Sequence, residues 1–491
     1  MGKVAKQSIQ TTIFSYIGVV IGYFNVLWLY PYAMDASELG TFRTIQDLGL
    51  LFVPFAQLGV GHGITRYFPK LETSKSAFLS YSLFVAIGGF LLVSILFLGF
   101  KNQIISLFAA NSPEVIDFLG VVLIITLFAL LNSILDAYGR SYLKVAIPTF
   151  FREVFLRLLT ACLVGSYLLK WIDFPQVMQG LILVYGLALT GVVIYLIWLK
   201  VLTFDLNWKD FPKGFRTSFI QFSLITFLAT AASTLIMKID SIMVSSMISL
   251  EANAIYTIAF SMALVIELPR RAISQVVMPV VADHFAKNNL AEINVLYKQV
   301  SNRQLYVCIL LFIGVWANID AIYSFIPNRE VYMAGKSVVL LIGLGKLFDV
   351  AFSINGEILV FSKFYRFNLV MTIAMSGLII LLNYIMIPIY GIEGAAGASA
   401  IVMVLFNLVK YLFLKIRLGL EPFSKETLKI LSVGILTYYS ARFLNLDITP
   451  ILNLLLTSLM VFGLFLVWSL LLQAGKEEWL WIKNQIKKSG S

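Results

Sequence analysis

Long apolar runs separated by short polar stretches dominate this chain, and they lack the strict alternation of strands. A bilayer core about 30 Å thick calls for roughly 20 apolar residues per helix. Reading with that window predicts about fourteen spans, near 8–32, 43–67, 78–100, 115–138, 144–168, 177–200, 217–247, 254–282, 303–327, 334–362, 366–388, 392–416, 427–446 and 450–473. The runs are continuous, without the roughly ten-residue alternating segments of an outer-membrane barrel. The expected fold class is therefore an all-α polytopic membrane protein. Segment 8–32 is too long for a cleavable signal peptide, and no small-residue cleavage site follows it. The longest stretches outside the spans are about 201–216, 283–302 and the tail 474–491, all too short for a soluble domain. Activity must reside among the helices.

Composition agrees. Hydrophobic residues make up 59% of the 491, charged residues 13%, and the mean hydropathy is +0.89. A soluble surface usually needs about 25% charge to stay hydrated. Cys162 and Cys308 lie in apolar runs and His62 and His284 lie far apart, so neither a disulfide framework nor a metal site is expected. The net charge of +11 points to cytoplasmic loops rich in Lys and Arg rather than to nucleic acid. With the N-terminus inside, basic residues near span ends divide roughly 23 to 6 in favour of the cytoplasm. The expected location is the inner (cytoplasmic) membrane, multi-pass, with both termini cytoplasmic. Aromatic residues, 14% of the chain, belong mostly to lipid-facing surfaces and interfacial belts.

An internal repeat is visible. Met34-Asp35-Ala36-Ser37-Glu38-Leu39-Gly40-Thr41-Phe42 after span 1 parallels Met247-Ile248-Ser249-Leu250-Glu251-Ala252-Asn253-Ala254-Ile255-Tyr256 after span 7. Each is a short outside turn with an acid, then small residues, then an aromatic residue. Six spans per half follow, with spans 13 and 14 added. The expected domains are a six-helix lobe 1–200, a cytoplasmic linker 201–216, a second six-helix lobe 217–417, and two further helices with a tail over 418–491.

On these features the sequence resembles the polysaccharide-flippase branch of the multidrug/oligosaccharidyl-lipid/polysaccharide exporter superfamily. The resemblance rests on Glu38-Leu39-Gly40-Thr41-Phe42, on Gly59-Val60-Gly61-His62-Gly63-Ile64-Thr65-Arg66-Tyr67 closing span 2, and on Lys238-Ile239-Asp240-Ser241-Ile242-Met243 in span 7. It rests also on Pro388-Ile389-Tyr390-Gly391-Ile392-Glu393-Gly394-Ala395-Ala396-Gly397-Ala398 between spans 11 and 12. It implies two bundles around a V-shaped cavity that opens alternately to each side. It also implies export of a lipid-linked oligosaccharide, of the undecaprenyl-diphosphate type, for surface polysaccharide or O-antigen assembly. Membrane lipids and polysaccharide-assembly proteins are the implied partners.

Ionisable residues at bilayer depth are functional candidates by default. Span 5 carries Arg152, Glu153 and Arg157; span 8 carries Glu267, Arg270 and Arg271 around Pro269; span 10 carries Lys346 and Asp349, with Asn355 and Glu357 farther along. Glu153/Arg157 and Lys346/Asp349 have the spacing of pairs on one helix face and can neutralise each other. Arg152 has no such partner, and Arg270 and Arg271 have one nearby acid between them. A diphosphate needs unpaired donors of this kind, and Arg offers a planar fork to phosphate oxygens. The expected head-group residues are therefore Arg270, Arg271, Arg152 and Arg157, then Lys346, with Arg66 at the cytoplasmic end of span 2 either receiving the diphosphate or snorkelling. Glu153, Glu267 and Asp349 are the expected charge partners. Asp47 and Asp240 are candidates for a coupling cation, H+ or Na+. Asp136 and Arg140 have the spacing of a local pair, and His62, among glycines, reads as a packing or hydrogen-bond residue. Pro269 is the candidate hinge.

No catalytic residues and no cofactor are expected. The nearest approach to a phosphate-binding loop, Gly335-Lys336-Ser337, has Glu330 where the first glycine belongs. Zinc-protease and nucleophile-elbow motifs are absent. The competing readings are a cation-coupled multidrug exporter of the same superfamily, which would favour acidic and aromatic pockets, and a membrane-embedded glycosyltransferase or polymerase, which would favour a substantial acidic outside loop.

Overall fold

The computed structural model describes residues 3–71, 74–442 and 449–475, and all regular structure among them is helical. Among the described residues ten helices are long and apolar enough to cross a membrane, or eleven if the bent pair Ala36–Gln57 and Val60–Lys70 counts as one span. The chain is a multi-pass membrane protein. By compactness it divides into two units, Met1–Thr257 and Ile258–Ser491.

In the first unit the chain forms α1 (Lys3–Phe24), α2 (Tyr30–Ala33), α3 (Ala36–Gln57), α4 (Val60–Tyr67), α5 (Lys75–Gly99), α6 (Lys101–Phe108), α7 (Glu114–Asp117) and α8 (Leu119–Ser141). These are followed by α9 (Ala146–Thr149), α10 (Leu156–Leu168), α11 (Phe174–Trp198) and α12 (Phe215–Met247), then by α13 (Leu250–Leu264), which runs past the boundary. α3 sits centrally and packs against α5, α8 and α12. This grouping by compactness differs from the repeat-based division at 201–216, because α12 packs on α3 and α4. The two repeated turns are built alike. Asp35 caps α3 by accepting the Glu38 N–H at 2.8 Å, and Ser249 caps α13 by accepting the Ala252 N–H at 3.0 Å. Gly40 lets the two helix starts meet, since a Cβ there would fall on the carbonyl oxygen of Leu250.

Span 2 is bent by 49° between α3 and α4. Residues 58 and 59 both take left-handed backbone angles, with φ of 50° and 73°. Gly59 also lies so close to α12 that a Cβ would collide with the carbonyl oxygen of Ser223. Gly59→Ala is therefore expected to lose roughly 1–2 kcal/mol from backbone conformation alone, with the clash added. The measurement is a melting temperature in lipid nanodiscs, with Gly88→Ala, which has open space around it, as the neutral control.

The second unit contains α14 (Leu268–Ala286), α15 (Leu290–Ala317), α16 (Ile319–Ser324), α17 (Arg329–Tyr332), α18 (Lys336–Phe352), α19 (Asn355–Phe361), α20 (Tyr365–Leu418), α21 (Lys425–Ala441) and α22 (Pro450–Leu471). α18 packs against α15 and α20, while α21 and α22 pack on α15. The 54 residues of α20 would stretch about 80 Å if straight. They do not: Gly391 breaks the helix at φ 60°, and a Cβ on Gly394 would fall on the carbonyl oxygen of Met386. In a continuous helix those two positions stand about 12 Å apart. The chain thus folds back at Gly391, and its two arms are the expected spans 11 and 12.

Several expectations need correcting. Span 10 ends at Phe352 rather than 362, because Ser353 takes a positive φ of 54° and Asn355 and Glu357 begin the separate helix α19. The stretch 283–302, expected outside the spans, is occupied by the ends of α14 and α15, which leave only residues 287–289 between them. Segment 144–168 carries four charged residues, Lys144, Arg152, Glu153 and Arg157, and is not among those ten helices. Of the expected span 427–446, the helix α21 is described to Ala441, and residues 443–446 lie outside the described residues. The tail lysines Lys476, Lys483, Lys487 and Lys488 lie outside the described residues.

Candidate functional site

Two helices of the first unit contain a π turn, at Asn25–Leu29 after α1 and at Phe150–Phe155 between α9 and α10. Such turns insert an extra residue into the helix and often occur at functional sites. The second carries Arg152 and Glu153. Arg152 does have a partner, on a neighbouring helix: its Nη1 lies 2.6 Å from Oδ2 of buried Asp136 on α8, and its Nε donates to Glu153 at 3.1 Å. Arg140 approaches the same Asp136 oxygen at 3.7 Å, and Arg157 pairs with Glu153 at 3.0 Å. Three bases share two acids. The excess is felt at Arg157, whose buried Nη1 has no hydrogen-bond partner. This guanidinium rests in a groove made by Gly18 and Gly22 of α1, where a Cβ would come within 3.0 and 3.3 Å of it.

Above this cluster in sequence, α4 turns its polar side into a cavity of about 420 Å³. Among the described residues Arg66, Arg140, His62, Gln57, Ser133 and Thr230 line it, and no carboxylate does. Arg66 lies 4.3 Å over the Phe222 ring, which holds the guanidinium at the cavity wall. Gln57 donates to Ser133 at 2.9 Å, and His62 Nε2 lies 3.3 Å from the Thr230 hydroxyl. His62 thus makes a hydrogen bond, as expected, and also faces the cavity. The volume is that of a small-ligand pocket, and its wall presents donors and positive charge. It suits an anion.

The second unit has its own charge cluster. A tight turn at Val265–Glu267 precedes α14 and buries Glu267 among three bases. Lys346 Nζ lies 2.5 Å from one oxygen, while Arg271 Nε at 3.2 Å and Arg270 Nη1 at 3.8 Å share the other. Arg270 also donates to Asp349 and, at 3.3 Å, to the Ser353 carbonyl exposed by the break after α18. Asn407 donates to Asp349 at 2.8 Å and accepts from Asn355 at the same distance. The expected Lys346/Asp349 pair is therefore not made; each crosses to α14 or the turn before it. Pro269 stands in the first turn of α14, where its missing N–H leaves no bond unmade.

These positions correct one expectation: Arg152, Arg270 and Arg271 are not unpaired, since each meets a carboxylate. The positive excess is collective and is held by fewer acids than bases. Asp47 and Asp240 also have donors already, the Lys238 ammonium at 2.5 Å and the Tyr256 hydroxyl at 2.7 Å. Among the described residues no three His, Cys, Asp or Glu side chains converge as a metal ion would require. Two residues escaped the sequence reading. Arg140 reaches the cavity as well as its local partner, and Lys410 of α20 is a buried ammonium inside an expected span.

The helical architecture is a fold also seen in solved membrane proteins. A solved structure described as "Lipid II flippase MurJ, inward closed conformation" matches with a TM-score of 0.72 at 17% identity, covering 94% of this chain and 98% of that one. The inward-facing conformation of a multidrug resistance MATE family transporter of the MOP superfamily matches with a TM-score of 0.64 at 14% identity, over 85% and 98%. The outward-facing conformation of such a transporter gives 0.57 at 14% identity, over 85% and 96%. No protein-family model and no curated protein sequence matches the chain.

Proposed function

We propose that this chain is a flippase, not an enzyme. It moves a lipid-linked oligosaccharide of the undecaprenyl-diphosphate type across the inner membrane by alternating access, for surface polysaccharide or O-antigen assembly. In this reading fourteen helices form two six-helix lobes in a V with two more helices at the C-terminal end, and both termini are cytoplasmic. The observation that carries it is the cavity walled by Arg66, Arg140 and His62, with no carboxylate among its described lining residues. An anionic head group entering there can satisfy Arg66 and draw Arg140 from its long 3.7 Å contact with Asp136. The fuller coverage by the lipid II flippase than by the multidrug transporters supports the same reading. An inside-negative potential favours outward movement of net negative charge by about 2.3 kcal/mol per charge per 100 mV.

Disrupting the gene should cause lipid-linked intermediates to accumulate in the membrane, and their recovery would identify the glycan. Drug hypersensitivity without such accumulation would favour the multidrug-exporter reading instead. Pro269 follows Glu267 and precedes Arg270, so it sits where head-group binding can be passed to α14. Pro269→Ala is expected to slow export while leaving expression intact, because the ring that fixes φ in the first turn of α14 is removed. Unchanged export would remove the hinge.

A further inference from the structure

Lys410 is an anomaly that the flippase reading does not use. Only 7% of it is exposed. Its ammonium lies 3.5 Å from the centre of the Phe406 ring, and a Cβ on Gly356 would come within 3.4 Å of Nζ, so α19 closes over it. Every other base in this cluster reaches a carboxylate within 4 Å; among the described residues Lys410 reaches none. A ring face recovers only part of what an ammonium loses on leaving water. The charged groups that act on it are Asp349 from α18, Glu357 from α19 and Arg270 from α14, none of them in contact with it. On its own helix, Asn407 stands three residues earlier on the same face and holds Asp349.

We infer that Lys410 is a proton-binding site whose occupancy governs how firmly Asp349 holds Arg270. In the protonated state Lys410 attracts Asp349 and Glu357 and repels Arg270, so it competes for the carboxylate that ties α14 to α18. On release the N–H bond breaks, the electron pair stays on Nζ and the proton passes to water. Asp349 is then left to Arg270 and Asn407, and the tie tightens. The link from α20 through Asn407 to Asp349 and Arg270 supplies the mechanical connection. Lysine suits the role, since its ammonium readily changes protonation when desolvated, whereas arginine stays charged. Placing this exchange in a transport cycle rests on the flippase reading; the proton site itself does not.

The test uses the full chain in lipid nanodiscs with ¹³C-methylated lysines, titrated by NMR. One lysine signal should titrate across physiological pH and be missing from K410R, which keeps the charge and the fold. If the signal lost in K410R stays charged throughout that range, the inference is overturned. In cells, export by the wild type should vary with external pH and export by K410R should not, while K410M, neutral at every pH, should show the same loss of pH dependence. A pH profile of either variant matching the wild type also overturns it. A Lys410 that titrates in a chain whose disruption accumulates no glycan intermediate would sink the flippase reading and leave the proton site standing. The converse result would do the opposite.

Discussion

Glu267→Gln is expected to lower stability by about 3–5 kcal/mol, the usual consequence of removing one partner from a buried ionic cluster. The side chain is only 10% exposed and is shared by Lys346, Arg270 and Arg271, themselves 13%, 18% and 48% exposed. Without its charge, two of these bases remain largely buried with a single acid, Asp349, in direct contact with Arg270 alone. The measurement is thermal unfolding in nanodiscs. Adding Lys346→Met to the variant should recover part of the loss, because one orphaned charge disappears with it. Asp283→Asn, which breaks only an exposed pair with Lys287, should leave the melting temperature unchanged. If Glu267→Gln behaved like that control, the cluster would have no structural weight.

Arg66→Ala and Arg140→Ala should each reduce export by between about tenfold and a hundredfold, since a charge-assisted hydrogen bond contributes roughly 1.5–3 kcal/mol. The readout is the ratio of lipid-linked intermediate retained in the membrane to polysaccharide delivered to the surface. Lysine at either position should restore only part of the function, because a point charge lacks the planar fork that grips two phosphate oxygens. Among the described residues Arg66 forms no ion pair, so its replacement tests the anion without disturbing a described partner. Normal export by both alanine variants would remove the cavity from the mechanism.

Much of the fold is legible in the sequence because the bilayer imposes a simple length rule, and runs of about 20 apolar residues satisfy it. Asp35 and Glu38 start α3 at Ala36, seven residues before the expected span 43–67, and Gly394 meets the Met386 carbonyl across the fold-back at Gly391. The π turns are not legible, since one extra residue does not alter the apolar character of a run. The split of span 10 had a signal in Asn355-Gly356, overridden by the hydrophobicity on either side. The candidate site follows the same division. Pairs within one helix, Glu153 with Arg157 and Asp136 with Arg140, follow from spacing. Pairs between helices, such as Arg152 with Asp136, Lys346 with Glu267 and Arg270 with Asp349, depend on which faces pack together, which spacing does not state. Lys410 did leave a trace, having no acid three or four residues away on either side.

The extra residue stored at Phe150–Phe155 fixes the azimuth of everything after it. Relaxing that segment to an ordinary 3.6-residue repeat would swing the downstream helix about its axis by about 100°. Arg157 would then be turned out of the notch between Gly18 and Gly22, and the Asn25 amide would lose the carbonyl it grips at 2.9 Å. Those two fits, a flat cation against bare backbone and a single amide clasp, act as a detent that keeps the screw from advancing.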